Sequence, residues 1–351
     1  MRVLLIQPDY LIDNFGFRLA AMPEPLALEI LAATIPEHDV RILDTRVDPD
    51  VARAVQAFQP ELVAVTALTT EYYAAVDILR AVKGVSRDVF TVVGGHHCTL
   101  RPDDFCIPEV DAITLGEGEY VFPQLVAAVA AGRDLSDVPN VWYRGPDGEF
   151  VRNDRHVPRG RAMDDMPLPR RELTDEYRNH YFWLFDCPDS VVATSRGCPF
   201  RCNFCSVHEF YGGLTRQMSA DRVLEDIHRV NTGHITFVDD NFLMNHKREA
   251  EIADRIKAEG LNMTWSMEAR TDSIAKHPEL VEKWADIGLY AVLLGLEGAS
   301  DDTLASVNKS NRVEVNDEAI RILKANGAIN WGALIVDPNW TADAFRRLRD
   351  Y

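Results

Sequence analysis

Hydrophobic and polar positions in the first 131 residues follow two alternating patterns. Five short runs are apolar and rich in Val, Ile and Leu. They begin at Arg2, Asp39, Leu62, Phe90 and Ala112. Helix-like stretches separate several of these runs, at 25–35, 71–82 and 119–131. Continuous apolar strands joined by helices predict a parallel sheet that is covered on both faces, and therefore a doubly wound α/β domain.

A second alternating series starts at Ser190. Its apolar runs lie at 190–196, 234–240, 263–269, 290–297 and 329–336. Helical patterns separate them, at 219–230, 246–259, 278–287 and 313–326. Repeated strand–helix units predict a barrel or a partial barrel, in which the chemistry lies at the carboxyl ends of the strands.

Between the two series, residues 141–152 read as a hairpin, with Pro-Asp-Gly at its turn. The polar stretch that follows ends in an aromatic group that contains Tyr181, Phe182, Trp183 and Phe185. Because large aromatic side chains need burial, we expect this stretch to be a packed linker and not a flexible spacer.

The predicted organisation has three parts. The first is a flavodoxin-like domain at 1–140, whose ligand lies beyond the carboxyl ends of its strands. A hairpin and linker follow at 141–189, and the second strand–helix series fills 190–351. After the fifth strand of that series, a helical pattern over Ala342–Tyr351 is the last element. A barrel of six or more strands would stay unclosed there, with an exposed edge prone to self-association. We therefore expect a barrel completed in another way or a fragment of a longer protein.

Composition and charge narrow the class of protein. Of the 351 residues 46% are hydrophobic and 26% charged, which is typical of a soluble globular protein. No apolar run approaches the ~20 residues of a membrane span. The net charge of −18 argues against binding to a nucleic-acid backbone. Cys98, Cys106 and Cys187 stand apart and form no disulfide framework, so we expect a reducing, cytoplasmic setting.

Three of the six cysteines follow the first strand of the second series at once. They are Cys198, Cys202 and Cys205, within the stretch SRGCPFRCNFCS. Three thiolates can bind three irons of a 4Fe–4S cluster and leave the fourth iron open to a substrate or cofactor. An open position of this kind marks a catalytic metal site. A structural zinc ion with His208 as the fourth ligand is the alternative.

The spacing C-x-x-x-C-x-Phe-C after a barrel strand resembles the radical S-adenosylmethionine (radical SAM) superfamily, with Phe204 as its aromatic position. The resemblance implies that SAM chelates the open iron and is cleaved to a 5′-deoxyadenosyl radical. Members often carry Gly-Gly-Glu after the second strand to hold the SAM amino group. Here the matching stretch is FVDDNF, so Asp239 and Asp240 supply carboxylates without the glycines.

The next two strands end in further charged residues. Glu268 and Arg270 lie two positions apart and so share one face of the third strand. Arginine is suited to bind a carboxylate, and a glutamate can accept hydrogen bonds from ribose hydroxyls. Glu297 resembles the glutamate of the family's G-L-E-S segment at the end of the fourth strand. For each of these residues the alternative is a solvated charge.

Three strand ends of the first domain resemble cobalamin-binding domains. Thr66 and Leu68 occupy a hydroxyl–x–Leu turn, Gly94 and Gly95 form a glycine pair, and the third end is LGEGE. From that third end the predicted cofactor-binding residues are Gly116, Glu117 and Gly118. A glycine pair lets the backbone approach a bulky ligand.

The Asp-x-His-x-x-Gly sequence of classical cobalamin domains is absent, since PDYLIDNFG does not fit it and His38 is the first histidine. The resemblance therefore implies base-off cobalamin without a histidine ligand from that motif. We expect His96 and His97 to form hydrogen bonds near the corrin or with neighbouring loops, in preference to binding cobalt.

The two resemblances together imply a cobalamin-dependent radical SAM methyltransferase. The adenosyl radical would remove hydrogen from an unactivated carbon, methylcobalamin would donate the methyl group, and a second SAM would restore methylcobalamin. The segments GALIVDPNWTADAFRRL and GGHH are most similar to hopanoid-modifying enzymes, followed by tetrapyrrole-modifying ones. The implied partners are a small-molecule or lipid substrate and an electron donor such as flavodoxin or ferredoxin.

Three alternatives remain open at this point. One is a cyclase or rearrangement enzyme that uses the same cofactors. Another is a tRNA methylthiotransferase whose second cluster is bound by Cys98, Cys106 and Cys187. The third is a cobalamin sensor with a structural zinc ion, which would not be an enzyme. No catalytic residue is assigned beyond the cofactor-binding set.

Overall fold

The structure is a computed structural model that describes residues 1–10, 20–153 and 162–351. The chain forms two compact units. The first contains Met1–Arg161 and Asp165–Pro188, and the second contains Ala162–Asp164 and Asp189–Tyr351. None of the helices in the described ranges has the length and apolar character that crossing a lipid bilayer requires.

The first unit is built around one sheet. The strands of this unit are β1 (Arg2–Gln7), β2 (Ala21–Met22), β3 (Asp39–Asp44), β4 (Leu62–Thr66), β5 (Phe90–Gly94), β6 (Ala112–Thr114), β7 (Val141–Arg144), β8 (Phe150–Arg152) and β9 (Phe182–Trp183). The sheet order is β3-β1-β4-β5-β6-β7-β8, and the first five of these strands are parallel. Counted along the chain, the parallel part has the order 2-1-3-4-5, which is the flavodoxin-like order. The predicted fold of this unit is therefore confirmed.

Helices cover both faces of this sheet. The α-helices of the first unit are Leu26–Ala33, Val51–Phe58, Tyr72–Val85, His96–Leu100 and Gly118–Ala130. Leu4 and Ile6 of β1 belong to one buried cluster, while Val3 and Leu5 belong to the other. Successive residues of a strand point to opposite faces, so a strand buried on both sides must be apolar throughout. This requirement is the reason that the apolar runs of the sequence do not alternate with polar positions.

The hairpin and the stretch after it belong to the first unit. Strand β7 pairs antiparallel with β6, and β8 pairs with β7, so the hairpin extends the main sheet. Strand β9 pairs with β2. The structure therefore places most of the predicted linker within the first unit and not in a separate segment. Tyr181 and Trp183 are buried as expected, but Phe185 is 85% exposed, so its predicted burial is wrong.

The second unit contains a five-stranded parallel sheet. The strands of this unit are β10 (Asp189–Val192), β11 (Ser195–Arg196), β12 (Arg216–Gln217), β13 (His234–Phe237), β14 (Thr264–Ala269), β15 (Leu289–Glu297) and β16 (Ile329–Leu334). The sheet order is β10-β13-β14-β15-β16, and β11 and β12 form a separate antiparallel pair. The five parallel strands thus follow their order in the chain, as the partial barrel predicts. Strand β16 pairs only with β15 among the described residues, and most of its positions are exposed.

Helices follow the strands of the second unit. They are Val207–Tyr211, Ala220–Ile227, His246–Glu259, Thr271–Lys276, Pro278–Ala285, Asp301–Ser306, Val313–Ala325 and Ala342–Asp350. Local sequence explains several of their ends. Ser219 and Ser300 accept a hydrogen bond from the backbone three residues later, and Gly260 ends a helix in the left-handed conformation. Trp265 and Trp284 pack with Phe237 and Phe242 in a buried aromatic cluster beneath the sheet.

Candidate functional site

The three cysteines lie in the loop between β11 and β12. Gly197 enters this loop with a φ of 83°, and a Cβ there would lie 2.0 Å from the Leu214 carbonyl oxygen. Only glycine fits this backbone conformation and this close approach. The pairing of β11 with β12 and the close contact at Gly197 therefore bring the two ends of the cysteine loop together.

The loop borders a cavity of about 290 Å³ in the second unit. The cavity lies at the carboxyl ends of β14 and β15. Its charged and sulfur-bearing lining residues are Cys198, Cys202, Cys205, Asp240, Glu268, Arg270, Glu297 and Lys309. The predicted residues of the second unit therefore come together at one site, with the exception of Asp239. Lys309 joins them without having been predicted from the sequence.

The thiols have the access and the charge environment that metal binding needs. Cys198 and Cys202 are partly exposed and Cys205 is exposed. Burial raises the pKa of the Cys198 and Cys205 thiols, and the nearby cations Arg270 and Lys309 oppose that change. Because cysteines bind iron as thiolates, these cations favour the binding form.

The single-zinc alternative finds no support in the geometry. Within the described ranges, no three Cys, His, Asp or Glu side chains converge closely enough to hold one metal ion. The ring of His208 packs on Gly213 and does not line the cavity.

Asp239 supports the loop and does not line the cavity. Its carboxylate is 1% exposed and accepts hydrogen bonds from the Thr194 N–H (2.6 Å), the Thr194 hydroxyl (2.5 Å) and the Ser195 N–H (2.6 Å). Burial raises the pKa of Asp239 to about 6 in spite of these three donors. The structure does not support the predicted role in binding SAM, because one oxygen accepts from two backbone N–H groups, the other accepts from the Thr194 hydroxyl, and the side chain does not line the cavity.

Asp240 both supports the cysteine loop and lines the cavity. One of its carboxylate oxygens accepts a hydrogen bond from the Gly197 N–H at 2.9 Å. The same side chain lines the cavity. Adjacent residues beyond a strand end point in different directions, which is why only the second aspartate of the FVDD stretch faces the cavity.

Arg270 is also directed at the cysteine loop. Its guanidinium donates to Asp272 at 2.8 Å, to the Lys309 carbonyl oxygen at 2.9 Å and to the Cys202 sulfur at 3.9 Å. It stacks over the Phe200 ring, 3.6 Å from the ring centre. The three hydrogen bonds use three of the five guanidinium N–H groups, and Arg270 lines the cavity, so its contact with a ligand carboxylate stays a prediction.

Glu268 presents a carboxylate without a partner to the cavity. No hydrogen bond or ion pair joins it to any of the described residues. Burial, followed by repulsion from Asp240 and Asp239, raises the pKa of Glu268 to about 7. A partly buried carboxylate without a partner is available to a ligand that brings hydrogen-bond donors.

Glu297 lines the cavity from the end of β15. It has a φ of 60°, which is rare for a residue other than glycine. Its carboxylate accepts a hydrogen bond from the Lys309 ammonium at 2.9 Å. Phe204, the predicted aromatic position, also lines the cavity and is 48% exposed.

The three predicted cobalamin-binding strand ends lie side by side in the first unit. They follow the neighbouring strands β4, β5 and β6, and hydrogen bonds join them. The Ala67 N–H donates to the Gly94 carbonyl oxygen at 2.9 Å. The Thr99 hydroxyl donates to the Gly95 carbonyl oxygen at 2.9 Å and accepts from the Gly116 N–H at 2.9 Å. The helix that begins at Gly118 follows directly after Glu117.

The glycine pair packs against the protein itself. A Cβ at Gly94 would lie 2.3 Å from the Thr114 hydroxyl, and one at Gly95 would lie 2.8 Å from the Thr66 hydroxyl. Both Cβ directions point at neighbouring strand ends, so a side chain at either glycine would displace those ends, and cobalamin binding at the pair stays a prediction. Leu68, in contrast, is 46% exposed on the turn after β4.

Two groups around this turn have structural roles. The Glu71 carboxylate accepts from the Leu68 N–H at 2.8 Å and from the Gln7 side chain at 2.9 Å, and burial raises the pKa of Glu71 to about 7. His97 is buried, lies 3.0 Å from the Thr69 hydroxyl and packs on neighbouring aromatic rings. The sequence did not indicate a role for Glu71, whose side-chain partner Gln7 lies 64 residues away along the chain.

The remaining cysteines do not line the cavity, and Cys106 and Cys187 are exposed. Cys98 is buried and donates to the Gly94 carbonyl oxygen at 3.2 Å, and Cys187 donates to the Asn179 carbonyl oxygen at 3.2 Å. The sequence lacks the histidine motif of classical cobalamin domains in the stretch after β1. Residues 11–19 of that stretch lie outside the described ranges.

Two family models match the chain. The B12-binding domain matches residues 18–126, and the radical SAM superfamily matches residues 192–351. An uncharacterized methyltransferase of Pyrococcus horikoshii is 32% identical over 89% of this chain and 69% of that protein. The chain belongs to the cobalamin-dependent radical SAM enzymes. The hopanoid C-3 methylase of Methylococcus capsulatus is 30% identical over the whole chain and 68% of its own length.

Solved structures share the architecture. The cobalamin-dependent S-adenosylmethionine radical enzyme OxsB, with aqua-cobalamin and S-adenosylmethionine bound, superposes with a TM-score of 0.79 at 19% identity. The methyltransferase TsrM of Kitasatospora setae, with cobalamin and a [4Fe-4S] cluster, superposes with a TM-score of 0.74 at 18% identity. This chain is 99% covered in both comparisons but spans only 51% of OxsB and 69% of TsrM. A 4Fe–4S cluster, SAM and cobalamin are the cofactors of this family.

Proposed function

We propose that this chain carries the cofactor-binding part of a cobalamin-dependent radical SAM methyltransferase that methylates an unactivated carbon. The observation that supports it most is the convergence of three thiols with Glu268 at one cavity, on a chain that also contains a cobalamin-binding fold. Curated relatives named as methyltransferases or methylases add to the support.

The residues present fit the iron–sulfur cluster and SAM. Cys198, Cys202 and Cys205 would hold the cluster. Glu268 would accept hydrogen bonds from the ribose hydroxyls of SAM, because its carboxylate faces the cavity without a protein partner. Asp240 and Glu297 supply further oxygens at the same cavity. Bound together, the cofactors supply hydrogen-atom abstraction and a transferable methyl group.

The first unit would hold cobalamin at the edge formed by the ends of β4, β5 and β6. Thr66, Leu68 and Gly95 belong to this edge, and the exposed Leu68 is available for apolar contact. We predict that cobalamin is bound in its base-off form and that the protein functions in the cytoplasm. The electron donor is predicted to be a flavodoxin or a ferredoxin.

The substrate class is proposed from the relatives. A lipid of the hopanoid type is favoured, since hopanoid C-3 and C-2 methylases are among the curated matches. Cyclisation is the second candidate. The anaerobic magnesium-protoporphyrin IX monomethyl ester cyclase of Rubrivivax gelatinosus is 29% identical over the whole chain and 66% of its own length.

Anaerobic reconstitution with iron, sulfide and cobalamin, followed by turnover with methyl-labelled SAM, tests the proposal. We expect label in a methylated product and 5′-deoxyadenosine in the same reaction. Replacement of Cys198, Cys202 and Cys205 by Ala should remove cluster iron and SAM cleavage together. A variant that retains a full cluster would contradict the assigned ligands, while turnover without label transfer would favour cyclisation.

A further inference from the structure

A segment distant in sequence packs onto the cysteine loop. We name residues Ser306–Asn311 the clasp. Asn203, between the second and third cysteines, donates from its backbone N–H at 3.2 Å and from its side-chain amide at 2.9 Å, both to carbonyl oxygens of the clasp. In return, the Asn308 side-chain amide donates to the Arg201 carbonyl oxygen at 2.6 Å. Three hydrogen bonds therefore fix the middle of the loop.

The clasp is itself anchored to the second unit. The Asn311 side-chain amide donates to the Thr271 hydroxyl at 2.6 Å and to the Asn316 side-chain oxygen at 2.9 Å. Asn316 is fully buried and donates to the Leu296 carbonyl oxygen at 3.1 Å. Buried polar networks with satisfied hydrogen bonds are rigid, so the clasp connects the loop to the sheet and to a helix.

Three residues in and near the clasp have a left-handed backbone. Asn308 and Ser310 have φ values of 53° and 52°, and Glu297 has 60°. Asn308 follows the C-cap of the helix Asp301–Ser306, where asparagine commonly adopts this conformation. Ser310 and Glu297 are rarer cases, and such residues persist where the surrounding structure holds them.

Lys309 places a buried cation at the centre of the clasp. The residue is 5% exposed, and its ammonium donates to Glu297 at 2.9 Å. A Cβ on Gly295 would lie 2.5 Å from this ammonium nitrogen and 2.6 Å from the bonded Glu297 oxygen. The ion pair therefore occupies the space that Gly295 leaves open, on the same cavity that Cys205 lines.

We propose that the clasp is a positioning element of the cysteine loop, and that Lys309 provides the positive charge that favours electron uptake by the cluster bound there. The inference rests on the proposed function, because it requires a redox-active cluster at these cysteines. Reduction adds negative charge to the cluster, and the potential of such clusters follows the surrounding charge and hydrogen bonding. The Lys309 ammonium balances the negative charge of Glu297 at this cavity, so that this carboxylate does not oppose the added electron and the potential is higher than without the lysine.

The charge is tested with Lys309→Met, Lys309→Arg and the control Lys324→Met, which removes an exposed lysine from the same unit. After anaerobic reconstitution, iron content and a reduction potential followed by electron paramagnetic resonance are measured. We expect a lower potential in K309M, recovery in K309R and no change in K324M. Loss of iron in K309M with retention in K309R would equally support the positioning role. An unchanged potential together with an unchanged iron content in K309M would overturn the role proposed for Lys309.

The hydrogen bonds are tested with Asn308→Ala and the control Asn262→Ala, which removes an exposed amide. Loss of this exposed hydrogen bond is expected to accelerate removal of iron by a chelator about twofold to fivefold in N308A only. Equal rates in both variants and the wild type would refute the clasp. A wild-type chain that takes up no cluster would instead refute the proposed function.

Discussion

Replacing Glu268 by Gln is expected to stabilise the chain at pH 8 when no cofactor is bound. The Glu268 carboxylate faces the cavity without a partner among the described residues, and burial is the main cause that raises its pKa to about 7. A carboxylate held in this way destabilises the fold once it is ionised. Glutamine retains the shape of the side chain and removes the charge.

The size of the effect follows from the pKa. Moving a carboxyl from its ordinary value of 4.5 to about 7 corresponds to about 3 kcal/mol, at about 1.4 kcal/mol per pKa unit. Because Glu268 is only partly buried, water in the cavity screens part of this energy. We therefore expect E268Q to gain about 1–3 kcal/mol at pH 8, or about 1–4 °C in melting temperature for a chain of 351 residues.

The sign of the pH dependence is specific. A carboxyl with a raised pKa in the folded state binds its proton more tightly there than in the unfolded chain. Its contribution to stability is fully present below the ordinary value of 4.5 and is lost as the pH rises through about 7. The advantage of E268Q should thus be absent near pH 4.5, grow between pH 5 and 7, and level off above pH 8.

Thermal and denaturant unfolding of the cofactor-free protein at pH 5, 6.5 and 8 would measure this difference. Glu251→Gln is the matched control, since Glu251 is exposed on the helix His246–Glu259, and we expect no change there at any pH. A gain for E268Q that does not vary with pH, or a loss of stability at pH 8, would refute the reasoning. The same substitution should weaken SAM binding, in keeping with the trade-off between stability and function.

Three further changes test other parts of the chain. Gly197→Ala places a Cβ 2.0 Å from the Leu214 carbonyl oxygen and should reduce the iron bound after reconstitution. The control is Gly260→Ala, which should retain the iron because there is open space around Gly260. Leu68→Asp alters an exposed side chain, so the free energy of unfolding should change by no more than about 0.5 kcal/mol. Absorbance titrations should nevertheless show at least about tenfold weaker cobalamin binding. Ile329→Lys charges the edge strand β16 and should lower self-association in light scattering; equal association would count against that edge as the contact.

Most of the secondary structure could be predicted because it depends on neighbours along the chain. The apolar runs at Arg2 and Leu62 became strands, and the pattern over His246–Glu259 became a helix with those same bounds. The short helices Val51–Phe58 and Asp301–Ser306 were missed, since two turns or fewer carry little periodic signal. The hairpin was predicted, but its pairing with β6 depends on a strand about 30 residues away.

The candidate site was predicted in its residue types and only partly in their roles. Cys198, Glu268 and Glu297 lie at one cavity as expected, because the carboxyl ends of parallel strands meet at the same edge of a sheet. Asp239 was assigned to a ligand, but its carboxylate binds Thr194 and Ser195, just before the cysteine loop. Arg270 lines the cavity as expected and also donates to Cys202 of the loop, which the sequence did not indicate. Sequence position identifies a charged side chain at a strand end and does not identify the group toward which it points.

The amino-acid sequence by itself determined the order of the two α/β units, the spacing of the cysteines and the glycine at which their loop begins. These properties depend on periodicity and on the chemistry of adjacent residues. Only the tertiary structure decided that the ammonium of Lys309 fills the space above Gly295, and that Asn308 holds a loop about 100 residues before it. Such contacts arise because folding joins segments that share no local pattern, and the direction of each side chain is set by the packing around it.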